Sequence, residues 1–111
     1  MSVNLLKEAK LIEKSGAFSI VLECISPATA KLITNQLKII TIGIGSSSYC
    51  DGQILVTDDM LGISGFYPKF VKKYVNLDTI IEIAVKKYTR EVKKQKFPSL
   101  KNFLNDTKHR K

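Results

Sequence analysis

Tryptophan is absent from this 111-residue chain, histidine occurs once and cysteine twice. The lone His109 and the separated Cys24 and Cys50 supply no close ligand pair, so the sequence predicts neither a zinc site nor a disulfide framework. Two free thiols in a reducing cytoplasm are the expectation. No apolar run approaches the roughly 20 residues of a membrane helix. The first residues, Met1-Ser-Val-Asn-Leu-Leu-Lys-Glu8, lack a basic segment followed by an apolar one, so no signal peptide is expected. Acidic residues are scarce as well: 10 Asp and Glu stand against 18 Lys and Arg, a formal charge of +8. Such an excess can mark a nucleic-acid partner. Most of it lies between Lys86 and Lys111, interleaved with Glu, Gln and apolar residues, and no nucleic-acid motif accompanies it. No nucleic acid and no membrane are therefore expected as partners.

What is present suits one packed domain. Hydrophobic residues make up 44% of the chain and charged residues 25%, a globular balance. The chain reads as a helix over 4–14 capped by Asn4 and stopped at Ser15-Gly16. An apolar run from Ala17 to Leu22 follows, the kind of strand buried on both faces of a parallel sheet. Ser26-Pro27 opens a second helix, with Ala30, Ile33 and Leu37 on one stripe. Ile39–Ile44 is a β-branched strand. Residues 45–52 form a loop by composition. Ile54–Val56 reads as a third strand and residues 60–67 as irregular chain. Pro68 is expected to begin a short helix bearing Phe70, Val71, Tyr74 and Val75. Asp78 is expected to cap a long amphipathic helix that ends before Pro98. The division expected is a domain over 1–98 and a basic, flexible tail over 99–111. Strands alternating with helices imply an α/β fold with parallel strands.

Glu23 ends the first apolar run. In a barrel of parallel strands that position points into the mouth where chemistry occurs; elsewhere it is a solvated loop residue. Asp58-Asp59 could pair on a metal, but neighbours on an extended chain point to opposite faces, which favours a turn or capping role. The Gly43/Gly45 segment could cradle phosphate or simply form a tight βα turn, and no Gly-rich helix-opening fingerprint follows. Cys50 has no cationic neighbour to activate it. His109 reads as solvated. Lys93, Lys94 and Lys96 suit the end of a helix, against its dipole.

Several stretches occur together in a telling order: Gly16-Ala-Phe-Ser-Ile-Val-Leu-Glu-Cys24, Ala30-Lys31-Leu-Ile-Thr34, Ile42-Gly-Ile-Gly45, Cys50-Asp-Gly-Gln-Ile-Leu-Val56, Asp59-Met-Leu-Gly62 and Pro68-Lys-Phe70. Their combination resembles the C-terminal part of the ketopantoate hydroxymethyltransferases, from the first helix to Pro98. The resemblance implies about strands six to eight, with their helices, of a (β/α)8 TIM barrel of the phosphoenolpyruvate mutase and isocitrate lyase type. It implies one-carbon transfer from 5,10-methylenetetrahydrofolate to 3-methyl-2-oxobutanoate, giving 2-dehydropantoate for pantothenate and coenzyme A. Glu23 matches the family's general base. A positioned base contributes about 10²–10⁴ in rate. The family also implies a Mg²⁺ that holds the 2-oxo acid and stabilises the enolate. Its carboxylate ligands lie on earlier strands, so this chain is expected to carry none of them. Family members form large homo-oligomeric rings.

Three departures accompany the match. Ile39-Ile40 replaces the family's Ile-Pro, Gly45-Ser46-Ser47 replaces Gly-Ala-Gly, and Phe97-Pro-Ser-Leu-Lys-Asn102 lacks the His of the C-terminal motif. A full barrel needs roughly 200 residues or more. The expectation is therefore a truncated or split cytoplasmic enzyme, complemented by an N-terminal segment, with an apolar surface exposed in this chain alone. An inactive remnant and a basic interaction module are the alternatives.

Overall fold

A computed structural model describes residues 2–104. The chain divides into two compact units, Met1–Val75 and Asn76–Lys111. In the first, α1 (Ser2–Lys14) leads to β1 (Ser19–Glu23), α2 (Pro27–Gln36), β2 (Ile40–Ile44), the two-residue β3 (Gly52–Gln53) and α3 (Thr57–Leu61). The three strands form one parallel sheet in the order β1-β2-β3. Val21 pairs with Ile42 and Glu23 with Ile44, while Ile42 pairs with Gly52. The expected α/β class and parallel pairing are present.

Alternation sorts the side chains. Leu22 joins Ala9, Ala30, Ile33, Leu37 and Cys50 in the core between sheet and helices. Thr41, on the same side of β2, is fully buried. Val21 and Ile40 stand on the other face and are 53% and 54% exposed. The expectation that the first strand is covered on both faces is thus corrected: this chain covers only the helix side.

Ser26 caps α2 as expected, its hydroxyl accepting from the Thr29 amide, with Pro27 in the first turn. Other boundaries differ. The first helix already runs from Ser2, so Asn4 lies inside it. The third strand sits at Gly52–Gln53 rather than at Ile54–Val56. Ile54 still donates to the Gly43 carbonyl at 3.0 Å, but β2 ends at Ile44 and Gly45 turns away with φ +60°. A ladder cannot outlast its partner strand. Val56 stands at the N-cap of α3 without a side-chain hydrogen bond, and Asp58 and Asp59 fall in its first turn.

No helix forms at Pro68–Val75. A single turn is present, with Val71 donating to Pro68, and the Tyr74 amide goes to the Met60 carbonyl at 2.8 Å. The Tyr74 amide, which a helix would pair with Phe70, has a remote partner instead.

The second unit contains α4 (Leu77–Lys93) and a 3-10 turn at Leu100–Asn102. Asn76, not Asp78, occupies the cap position of α4. Asp78 lies in the first turn, where its carboxylate accepts from the Thr79 amide. Ile80, Ile81, Ile83, Val85 and Tyr88 are all exposed, and Tyr88 meets Phe97 edge-on at 5.6 Å between ring centres. The turn at Leu100–Asn102 falls within the segment expected as a tail. His109 lies outside the described residues.

Candidate active site at the carboxyl end of the sheet

Glu23 is the last residue of β1, level with Ile44 at the end of β2. Because Leu22 points to the helices, Glu23 points to the opposite face, with Val21. Its side chain is exposed. The one ion pair among the described residues joins Lys86 to Glu82, and none of them pairs with Glu23.

The chain turns sharply after it. Cys24 adopts φ +52°, a left-handed conformation rare for a residue with a side chain. Its amide donates to the Ile44 carbonyl at 2.9 Å. The next amide, of Ile25, donates to Ser46 Oγ at 3.1 Å. Ser46 Oγ in turn donates to the Leu22 carbonyl at 2.5 Å. The ends of β1 and β2 are thereby tied together beside the carboxylate.

The loop after β2 is shaped by its neighbours. A Cβ on Gly45 would lie 2.7 Å from Phe70 Cγ. The expected tight βα turn is corrected: Gly43 lies within β2, and Gly45 opens a loop that leads to β3 rather than to a helix, with Phe70 packed against it. An open cleft of about 700 Å³ lies beside it, lined by Cys24, Ser46, Ser47, Gln53, Lys69 and Phe70. Gln53 Nε2 donates to the Ser47 carbonyl at 2.6 Å. Glu23 stands next to this cleft in sequence, through Cys24, but does not line it.

Other expected candidates resolve into structural roles. Asp58 and Asp59 occupy the first turn of α3. Among the described residues no three His, Cys, Asp or Glu side chains gather as a cation site. The donors among the described residues do not fit a Mg²⁺ centre. Cys50 is buried in the core.

Two carboxylates matter more to the fold than the sequence suggested. Asp51 Oδ2 accepts from the Thr41 amide at 2.8 Å and lies 3.2 Å from its hydroxyl. The aspartate of the Cys50-Asp-Gly-Gln run thus extends the sheet ladder by one side chain. Glu13 accepts from the amides of Lys38 and Ile39, holding the entry to β2 to the end of α1. Neither role could be read without knowing which strand ends meet.

Comparison with known proteins decides the family. The family model described as ketopantoate hydroxymethyltransferase matches residues 2–100. The chain belongs to the ketopantoate hydroxymethyltransferase family. It is similar to 3-methyl-2-oxobutanoate hydroxymethyltransferase of Anaplasma marginale (strain Florida), with 50% identity over 103 residues, covering 93% of this chain and 37% of that protein. The protein of the same name from Syntrophus aciditrophicus is 56% identical over 96 residues, 86% of this chain and 35% of the relative. The one from Pelagibacter ubique is 47% identical over 98 residues, 88% and 38% respectively. The chain thus spans little more than a third of these relatives, and it matches their C-terminal part. Among the described residues no helix is long and apolar enough to cross a membrane.

Proposed function

We propose that this chain supplies the carboxyl-terminal part, about strands six to eight, of a (β/α)8 barrel in a cytoplasmic 3-methyl-2-oxobutanoate hydroxymethyltransferase. Glu23 is its general base. The observation that carries the reading is the placement of Glu23: at the carboxyl end of β1, on the face away from the helices, with no ion pair to a cation among the described residues. In a closed barrel that face is the interior and that end is the mouth.

The chemistry suits a carboxylate there. The carbon to be alkylated carries a proton α to a ketone, and the Glu23 carboxylate takes that proton. Water releases the one-carbon unit of 5,10-methylenetetrahydrofolate as formaldehyde, both C–N bonds breaking to leave tetrahydrofolate. The electron pair left on carbon then forms the C–C bond to formaldehyde, whose oxygen takes up a proton as the new hydroxyl. The turn at Cys24 and the ties between the strand ends hold the base in place. Substrate contacts and charge stabilisation at the oxo acid come from a complementing N-terminal segment, and the assembled enzyme is a homo-oligomer.

The test combines this chain with a polypeptide carrying the remaining N-terminal portion of a matched relative. The isolated chain should form no 2-dehydropantoate. The mixture should form it, and Glu23→Gln should lower the rate by about 10²-fold or more while assembly persists. Full activity of the Glu23→Gln mixture removes the base assignment. Absence of product from every assembled mixture, with the unmutated chain, replaces the proposal by an inactive remnant.

A further inference from the structure

The geometry points to Ser46 as a positioning residue for Glu23, a role resting on the proposed base. Three peptide units separate the α-carbons of Leu22 and Ile25, and each is anchored at one atom. The Leu22 carbonyl accepts from Ser46 Oγ at 2.5 Å. The Cys24 amide donates to the Ile44 carbonyl at 2.9 Å. The Ile25 amide donates back to Ser46 Oγ at 3.1 Å. One hydroxyl therefore holds the peptide units on both sides of the Glu23–Cys24 link, acting as donor to one and acceptor from the other. The Ile44 carbonyl, 3.5 Å away, lies at the limit of a further contact.

This hold matters because the turn opposes local preference. Cys24 sits at φ +52°, where a side-chain-bearing residue stays only if its surroundings impose it. Release of either Ser46 contact frees the segment that aims the carboxylate. Proton abstraction is sensitive to such aim, since a misplacement of about 1 Å can cost about 10²-fold in rate. Alanine at this position has no hydroxyl and could make neither contact.

The experiment compares the unmutated chain with Ser46→Ala and Ser46→Thr. In the 15N-labelled chain, amide exchange followed by NMR should be about tenfold faster at Ile25 in Ser46→Ala and unchanged at Val21. In the complemented enzyme, Ser46→Ala should lower kcat about tenfold at constant KM, and Ser46→Thr, which keeps the hydroxyl, should restore both readouts. Unchanged exchange at Ile25, or a Ser46→Ala enzyme with unaltered kcat, overturns the role of Ser46 alone. A complemented enzyme whose Glu23→Gln form is fully active instead overturns the base, and the catalytic meaning of the Ser46 contacts goes with it.

Discussion

Replacing Gly45 by alanine tests how the loop beside the candidate site is held. Two costs arise at this position. The backbone is left-handed, at φ +60°, which for a residue with a Cβ costs about 1–2 kcal/mol. The new methyl would also lie 2.7, 2.9 and 3.0 Å from three atoms of the Phe70 ring. Overpacking of this kind costs about 1–3 kcal/mol, toward the lower end where the neighbour can tilt. Phe70 is 39% exposed and has room to do so. The sum is about 2–3 kcal/mol, or about 10–20 °C in Tm for a domain of this size.

Gly16 provides the control. It also has positive φ, +98°, yet nothing lies within 4 Å of a Cβ built there. Gly16→Ala should show the backbone cost alone, about 5–10 °C. Thermal unfolding followed by circular dichroism measures both variants. The Gly45→Ala/Phe70→Ala double variant completes the cycle: deleting the ring should recover about 1 kcal/mol of the loss expected from adding the single effects. A Gly45→Ala chain no less stable than Gly16→Ala, with additive behaviour in the double variant, would refute the proposed packing of Phe70 on this turn.

Two further stability effects follow from buried groups. Asp51→Ala leaves the amide of the fully buried Thr41 without its acceptor, and a loss of about 1–3 kcal/mol is expected in urea titration; Asp51→Asn, which retains an acceptor oxygen, should lose less. Ile33→Ala empties the centre of the core, where Ile33 is 1% exposed, and should cost about 2–5 kcal/mol by the same assay. Equal midpoints for Asp51→Ala and Asp51→Asn, or an Ile33→Ala midpoint close to that of the parent, would count against these assignments.

The sequence made some of this legible because the signals were local. Ser26-Pro27 announces α2 by capping chemistry alone. The β-branched residues of Ile40–Ile44 announce β2, and alternation of strands with helices fixes the parallel pairing. An apolar run that stops at a carboxylate places Glu23 at a strand end. What escaped depends on remote partners. The apolar spacing of Phe70, Val71, Tyr74 and Val75 reads as a helix, but Gly45 claims the Phe70 ring and Met60 claims the Tyr74 amide. The place of β3 depends on where β2 turns away and on Asp51 completing the ladder. Ser46 appears as one serine of three until the turn at Cys24 comes beside it.

The direction of Glu23 and the exposure of the sheet follow from one geometric fact. The pleat that sends Leu22 toward the helices sends Val21 and Glu23 the other way, and the register sets Ile40, Ile42 and Ile44 on that same face. On the proposed reading Glu23 shares its face with residues made for a barrel interior, and these are apolar, with Val21 and Ile40 half open to water. Covering this face and completing the site are then the same event. Titration of the complementary N-terminal polypeptide should reduce binding of a hydrophobic dye to this chain and raise 2-dehydropantoate formation along one curve with one midpoint. The substitution Val21→Lys should shift both midpoints together, because a charge in a dry interior opposes closure whatever its distance from the reacting carbon. Product formation at full rate while the dye stays bound would mean that the face bearing Glu23 remains open during turnover, and the base would have to be sought elsewhere.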